Sequence, residues 1–338
     1  TENVGVAVLV YVVGLASAVA TFTWSVDTVA PTATITGTPG AFSNATAVTA
    51  ALAASETGST FECRFNAGEW TPCATPFTQT GLVDGEQRLD VRATDAAGNV
   101  GAARMVTWTV DTQAPDVTIT AANGRYSNKT SDTFSVAANE TVTYQCRLDA
   151  GSWSNCSPPM LVASASEGDH TISFRGTDRA GNVTTSSYTW TTDRTAPAVT
   201  VPEPDAVSNQ TTVSMPFSAN ETVTFECRIT GGTWAACSSP AAFSGLREGA
   251  QTFSVRATDR AGNVETKSVS WTLDLTPPTA SFVTKPNAGT QSATAQFTFG
   301  ADEDNVLYLC NLDSAGWRGC STPHNLTGLS SGSHTLQL

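Results

Sequence analysis

Apolar and polar residues alternate with a period of two along most of this 338-residue chain. Leu89, Val91 and Ala93 fall on one face of a strand, and Asp90, Arg92 and Thr94 on the other. Phe61, Cys63 and Phe65 oppose Glu62 and Arg64 in the same way. The run ending at Thr94 meets the motif D-x-A-G-N at Asp95–Asn99, which recurs at Asp178–Asn182 and Asp259–Asn263. Two β runs joined by such a motif predict a hairpin with Gly where φ must be positive, and with the Asp side chain capping the turn. Further strands are expected over residues 32–36 and 45–53. A tight turn is expected at 66–68, and a corner between sheets at 81–85. Short strands with turn signals every 8–12 residues predict an all-β Greek-key sandwich.

The pattern repeats. The spacing of Cys63 and Cys73 recurs at Cys146 and Cys156, at Cys227 and Cys237, and at Cys310 and Cys320. A Trp precedes each second Cys by three residues: Trp70, Trp153, Trp234 and Trp317. The remaining Trp form a W-x-x-D series as Trp24/Asp27, Trp108/Asp111, Trp190/Asp193 and Trp271/Asp274. All eight Cys and all eight Trp are thus used up by a period of about 80 residues, which suits a string of small domains. Both Trp series are expected in the cores, the first packed beside a disulfide. Four intradomain disulfides, one per cysteine pair, imply an oxidising compartment. Zinc is disfavoured, because no pair has C-x-x-C spacing and the three His (170, 324 and 334) do not recur at an equivalent core position.

Composition narrows the partners. Only 14% of residues are charged, while 40% are hydrophobic, which is enough for packed cores. A net charge of −13 leaves nothing to neutralise phosphates, so nucleic acid is not an expected partner.

The succession D-T-x-A-P, F-E-C-R, W-x-x-C, G-L-x-x-G, V-R-A-T-D-x-A-G-N-V and W-T-x-D resembles the Ig-like or fibronectin-III-like repeats of large microbial surface and extracellular proteins. It covers nearly the whole chain. The resemblance implies β-sandwiches used as a stalk, an adhesin segment or a filament subunit, with no common ligand. A disulfide within one hairpin differs from the inter-sheet bridge of antibody domains.

Joints are expected at Asp27, Asp111, Asp193 and Asp274, each followed within four residues by Pro and with no Gly/Ser linker. This divides the chain into residues 1–27, the last hairpin of a preceding Ig-like domain; repeats at 28–111, 112–193 and 194–274; and a fourth repeat at 275–338, incomplete at its C-terminal end. Short joints stiffened by Pro predict a semi-rigid rod. The apolar residues 4–20 fit three readings: a signal-peptide core with cleavage after Ala18, a short membrane span, or that last hairpin. The third is preferred, because Gly14 falls on Gly98, Trp24 on Trp108 and Asp27 on Asp111. A hairpin without its domain at one end and a domain without its last hairpin at the other predict head-to-tail self-association into a filament.

No nucleophile–base motif or phosphate-cradling loop is present, so no enzyme activity is expected. Acidic residues recur before the Cys strand (Glu56, Glu140, Glu221 and Glu303), at the hairpin turn (Asp95, Asp178 and Asp259) and at the joints. No cofactor is expected. Calcium at the joints is a weaker alternative, since no dense D-x-D-x-D string supplies its oxygens and turn capping explains each Asp. N-x-[ST] sequons at Asn44, Asn128 and Asn209 share one place in three repeats, and Asn139 pairs with Asn220. Others lie at Asn155, Asn182 and Asn325. N-linked glycans are expected at Asn44, Asn128, Asn139, Asn182, Asn209, Asn220 and Asn325. The expected function is structural: an extracellular, secreted or cell-surface segment of a filament or stalk. The alternative is an adhesin binding glycan or protein through sandwich loops.

Overall fold

The computed structural model describes residues 21–338 and, before them, the backbone of residues 6–8, 11–12, 15–16 and 20. Every regular element among the described residues is a strand. The chain divides into two compact units, residues 1–195 with 260–263, and residues 196–259 with 264–338.

In the first unit, Val6–Val8 pairs antiparallel with Ala20–Phe22, and Tyr11–Val12 with Leu15–Ala16. The turn expected at Gly14 and the cleavage motif at residues 17–18 lie outside the described residues. No helix of the described residues is long and apolar enough to cross a membrane. The first repeat is a sandwich. One sheet has three strands in the order Phe77–Thr80, Ala47–Ala54, Ala33–Thr36. The other has five, in the order Phe42–Ser43, Arg104–Val110, Gly85–Thr94, Thr60–Phe65, Thr71–Cys73. Leu89, Val91 and Ala93 face Ala33, Val48, Ala50 and Leu52 across the interior, together with Trp108 and Val110. Burial follows the period-two alternation because each sheet hides one face and wets the other.

The second repeat builds the same two sheets. Its long hairpin is Gly168–Thr177 with Val183–Thr192, around a core of Phe134, Ile172, Phe174 and Trp190. In the second unit, the third repeat pairs Gly249–Thr258 with Val264–Leu273 over Met215, Phe217, Phe253, Val255 and Trp271. The fourth repeat has sheets Ala280–Thr284, Ala295–Ala301, His324–Leu326 and Arg318–Cys320, Tyr308–Leu312, Leu336–Gln337. Phe299 and Cys310 are buried there, whereas Leu307, Leu309 and Trp317 are exposed. Pro278, Ala280, Ala301 and Leu307 help line an apolar pocket of about 450 Å³.

The four disulfides join Cys63–Cys73, Cys146–Cys156, Cys227–Cys237 and Cys310–Cys320, with Cα–Cα distances of 5.7, 5.9, 5.7 and 5.8 Å. Each ties the Cys strand to the short strand beside it. The turn glycines Gly98, Gly181 and Gly262 have φ of 92, 97 and 90°, the left-handed region that a side chain would strain.

Candidate functional site

The recurring polar residues converge on the joints. Asp95 accepts the Asn99 backbone N–H (2.8 Å) on one oxygen and the Asn99 side-chain amide (2.8 Å) on the other. That holds the Asn99 amide in place to donate to the Asp27 carbonyl, at 3.0 Å. Asp178 accepts from the N–H groups of Gly181 and Asn182 and from the Asn182 amide, which also donates to the Asp111 carbonyl at 2.8 Å. The turn segment 260–263 belongs to the first unit, and there Asn263 donates to the Asp193 carbonyl at 2.8 Å. The hairpin turn of one repeat therefore clasps the W-x-x-D end of the repeat before it.

Each clasp has a seat. The Asn44 N–H donates to the Ala180 carbonyl at 3.2 Å, and the Arg179 guanidinium lies 5.7 Å from the Phe42 ring centre. Arg260 stands equally far over the Tyr126 ring and reaches its hydroxyl at 3.4 Å. A Cβ on Gly181 would meet Asn44 Nδ2 at 3.7 Å, and one on Gly262 would meet Asn128 Nδ2 at 3.6 Å. The equivalently placed asparagines thus face the glycine of the docked turn, which is a structural reason for their recurrence.

Carboxylates crowd the same places. Oxygens of Asp27, Glu56 and Asp95 lie within 4.8 Å of one another, as do those of Asp111, Glu140 and Asp178. Burial, then the charges of Asp27 and Asp95, pushes the Glu56 carboxyl above its usual range; burial, Asp178 and Asp111 do the same to Glu140. Hydrogen bonds from Asn99, against a desolvation cost, hold Asp95 below it. In the second unit, burial and the charges of Asp274 and Asp302 push Glu303 up. Three carboxylates are the donors a hard cation takes, but Ca²⁺ needs six to eight oxygens, so each triad would supply part of a shell.

A carboxyl raised on folding takes up a proton as the chain folds. The stability it supports is complete below the unfolded value and is lost as pH rises through the folded value. Glu56→Gln is therefore expected to stabilise the first unit at neutral pH and to flatten the loss above about pH 4.5. Urea unfolding from pH 4 to 7 checks it; an unchanged slope would show that the triad carries no net repulsion.

His170 and His334, contrary to the sequence expectation, occupy one equivalent position in two repeats. His170 Nδ1 lies 2.9 Å from Asp149 Oδ2, and Nε2 lies 2.9 Å from the Ser166 carbonyl and 3.4 Å from Ser166 Oγ. His334 meets Asp313 at 2.7 Å and the Ser330 carbonyl at 2.8 Å. Repeats one and three carry Gln87 and Gln251 here, donating to the carbonyls of Val83 (2.9 Å) and Arg247 (2.6 Å). The Ser–His–Asp grouping is therefore a strut. Its Nε2–H is committed to a carbonyl four residues back, so it is no base for Ser166.

The Asp149 hydrogen bond raises the His170 pKa against burial. Its contribution is full below about 6.5 and is lost as pH rises through the folded value. His170→Gln is expected to fold, with a flatter stability profile above pH 6.5; a profile as steep as that of wild type would refute this account.

The two tryptophan series separate. Trp108, Trp190 and Trp271 are buried. Trp24 is exposed. Trp70, Trp153 and Trp234 are half-buried and Trp317 is exposed, so the W-x-x-C series lies outside the cores, which corrects the sequence expectation. Trp70 lies between Arg64 (4.9 Å) and Arg92 (4.6 Å), Trp153 between Arg147 (4.7 Å) and Arg175 (4.4 Å), and Trp234 between Arg228 (4.5 Å) and Arg256 (4.8 Å). The physical reason is strand parity: the Arg beside each inward Cys points outward, and the returning Trp lies on that wet face. In the fourth repeat Asn311 replaces the Arg, and Trp317 is exposed.

The sequons also divide. Asn182 corrects the glycan expectation, because its amide nitrogen is spent on Asp111 and Asp178 and the residue is half-buried. Asn44, Asn139, Asn209, Asn220 and Asn325 are exposed, and Asn128 is half-buried. The prolines carry a further repeat. A Pro lies three residues after each second Cys, and each follows a cis peptide bond: Thr75-Pro76, Pro158-Pro159, Ser239-Pro240 and Thr322-Pro323.

The fold and joints define a tandem array of Ig-like β-sandwiches. Residues 161–227 match the family model described as Bacterial Ig-like domain (group 3). No curated protein matches the chain. Among solved structures, the chain is similar to the fibronectin(III)-like modules of Clostridium thermocellum CbhA, at 13% identity over 46% of this chain and 94% of that one, with a TM-score of 0.34. It is also similar to a tetra-tandem repeat in the extending region of a large adhesion protein, at 19% identity over 89% and 91% of the two chains, TM-score 0.28. A third likeness is to a 1.5-MDa bacterial ice-binding adhesin, at 17% identity over 72% and 96%, TM-score 0.36. These likenesses concern the β-sandwich fold alone.

Proposed function

We propose that the chain is a structural, extracellular segment of a filament or stalk, built from tandem Ig-like domains that join head to tail, with no catalytic role. The repeats are delimited at residues 28, 112, 194 and 275. The observation that carries this reading is the recurring clasp, in which Asn99 and Asn182 fasten successive joints through the same pair of acceptors. A protein that transmits position or tension needs such joints more than it needs an open cleft. One disulfide per repeat suits an oxidising exterior. N-linked glycans are proposed on the exposed Asn139, Asn209, Asn220 and Asn325. Calcium at the acidic triads is a further proposal: it would stabilise wild type by relieving the repulsion, and Glu56→Gln less.

Electron microscopy of the native material is the test. Ordered filaments or stalks beaded at the domain repeat are the expected result. Isolated stalks with ligand bound along their sandwich loops would overturn it in favour of an adhesin.

A further inference from the structure

The second repeat buries a carboxylate among its core residues. Asp132 shares the inward face of Ser131–Ala138 with Phe134 and is 3% exposed. That strand is the middle one of its three-stranded sheet. Asp132 pairs with Val162 across the sheet, where repeats one and three pair Val48 with Gln79 and Val213 with Phe243. Among the described residues its side chain has one hydrogen-bond partner, the Asn123 amide, whose Nδ2 donates to Asp132 Oδ1 at 2.8 Å. The same nitrogen donates to the Ser131 carbonyl at 3.2 Å. Asn123 stands where repeats one and three carry Pro39 and Pro204, so the amide and the buried carboxylate occur together in one repeat and are both missing from the other two. A buried carboxylate with a single donor is costly to leave without it.

That donor is chemically labile. Asn123 is followed by Gly124, the one Asn-Gly pair in the 338 residues. Both are exposed, in the turn between Val117–Ala121 and Tyr126–Ser127. No side chain on Gly124 shields its backbone nitrogen, and its N–H donates no hydrogen bond among the described residues. We propose that Asn123 is a site of self-modification, at which deamidation replaces the donor that holds Asp132 with a carboxylate and so loosens the second repeat. The Gly124 nitrogen bonds to Asn123 Cγ, the Cγ–Nδ2 bond breaks, and ammonia leaves with the proton of the Gly124 N–H. Water then opens the five-membered imide at one carbonyl or the other, giving aspartate or isoaspartate. Water is the only co-reactant. Either product removes the amide. Aspartate also sets a second carboxylate against Asp132 across what was a 2.8 Å hydrogen bond, where like charges cannot both be ionised. Repeats one and three, with Pro and Val at these places, carry neither the reactive pair nor the carboxylate it would leave without a donor.

The test keeps the full chain, with its disulfides intact, at neutral pH and follows it by peptide mass mapping. Asn123 is expected to deamidate before any other asparagine of the chain, with isoaspartate among the products. Hydrogen exchange reads the consequence. Amides of Ser131–Ala138 should exchange roughly tenfold faster or more, both in the aged fraction and in Asn123→Asp, while those of Ala47–Ala54 in the first repeat keep their rates. The cause is isolated by exchanging the pair: Asn123→Asp with Asp132→Asn puts the amide on the other partner and should restore slow exchange. Asp132→Val, the residue of repeats one and three, should likewise make the strand insensitive to Asn123→Asp. An Asn123 that outlasts the other asparagines overturns the proposal. So does Asn123→Asp exchanging as slowly as wild type, or as fast in the Asp132 variants as without them.

Discussion

Trp190→Ala is expected to cost about 3–5 kcal/mol, as truncation of a large core aromatic does. The indole is fully buried, its ring centre is 4.6 Å from that of Phe134, and its N–H donates to Thr192 Oγ1 at 3.2 Å. Trp153→Ala, in the same repeat, removes two cation–π contacts on a wet face and is expected to cost only about 1–2 kcal/mol. Guanidinium unfolding of the two variants makes the comparison. Equal losses would mean that the Trp–Arg stack is part of the core, against the burial seen. Trp108 sharpens the point, since its N–H has no hydrogen-bond partner where Val110 stands in the place of Thr192.

Opening the Cys63–Cys73 bridge by replacing both residues with Ala is expected to cost about 2.5–3 kcal/mol, from the entropy of an eleven-residue loop in the unfolded chain. That is a large share of what an 80-residue sandwich can hold in reserve, since marginal stability is roughly 0.05–0.15 kcal/mol per residue. Reduction of all four bridges should therefore lower the unfolding midpoint of every repeat. A reduced chain with an unchanged midpoint would show that the bridges join strands already held by the sheets. Non-reducing peptide mapping checks the connectivity independently: free thiols or cross-repeat bridges would contradict it.

Some features of the fold are legible from neighbours alone. Leu89, Val91 and Ala93 are buried because a pleated strand alternates its faces, and that needs no knowledge of the partner sheet. The D-x-A-G-N turns are legible for the same reason. Gly98 supplies a positive φ and Asp95 caps the turn within five residues. The cysteine pairs sit on adjacent strands, so their spacing suffices.

Other features depend on residues far apart in the chain. Alternation places Asp90 on the outer face, yet Asp90 is 1% exposed, covered by Arg64 (3.1 Å) and Arg88 (2.9 Å). The second repeat has Ser173 there, and Arg147 Nε is left buried with no partner. Both W-x-x-C and W-x-x-D look like core signals, and only the path of the returning strand puts the first outside and the second inside. Asn182 matches a sequon, but its amide is engaged by the Asp111 carbonyl, 71 positions back. Local periodicity therefore determined the strands, turns, bridges and repeat. The clasps, the seats and the charge pairs under the tryptophans arise where folding brings distant segments within hydrogen-bonding range, a short-range condition that no local pattern encodes.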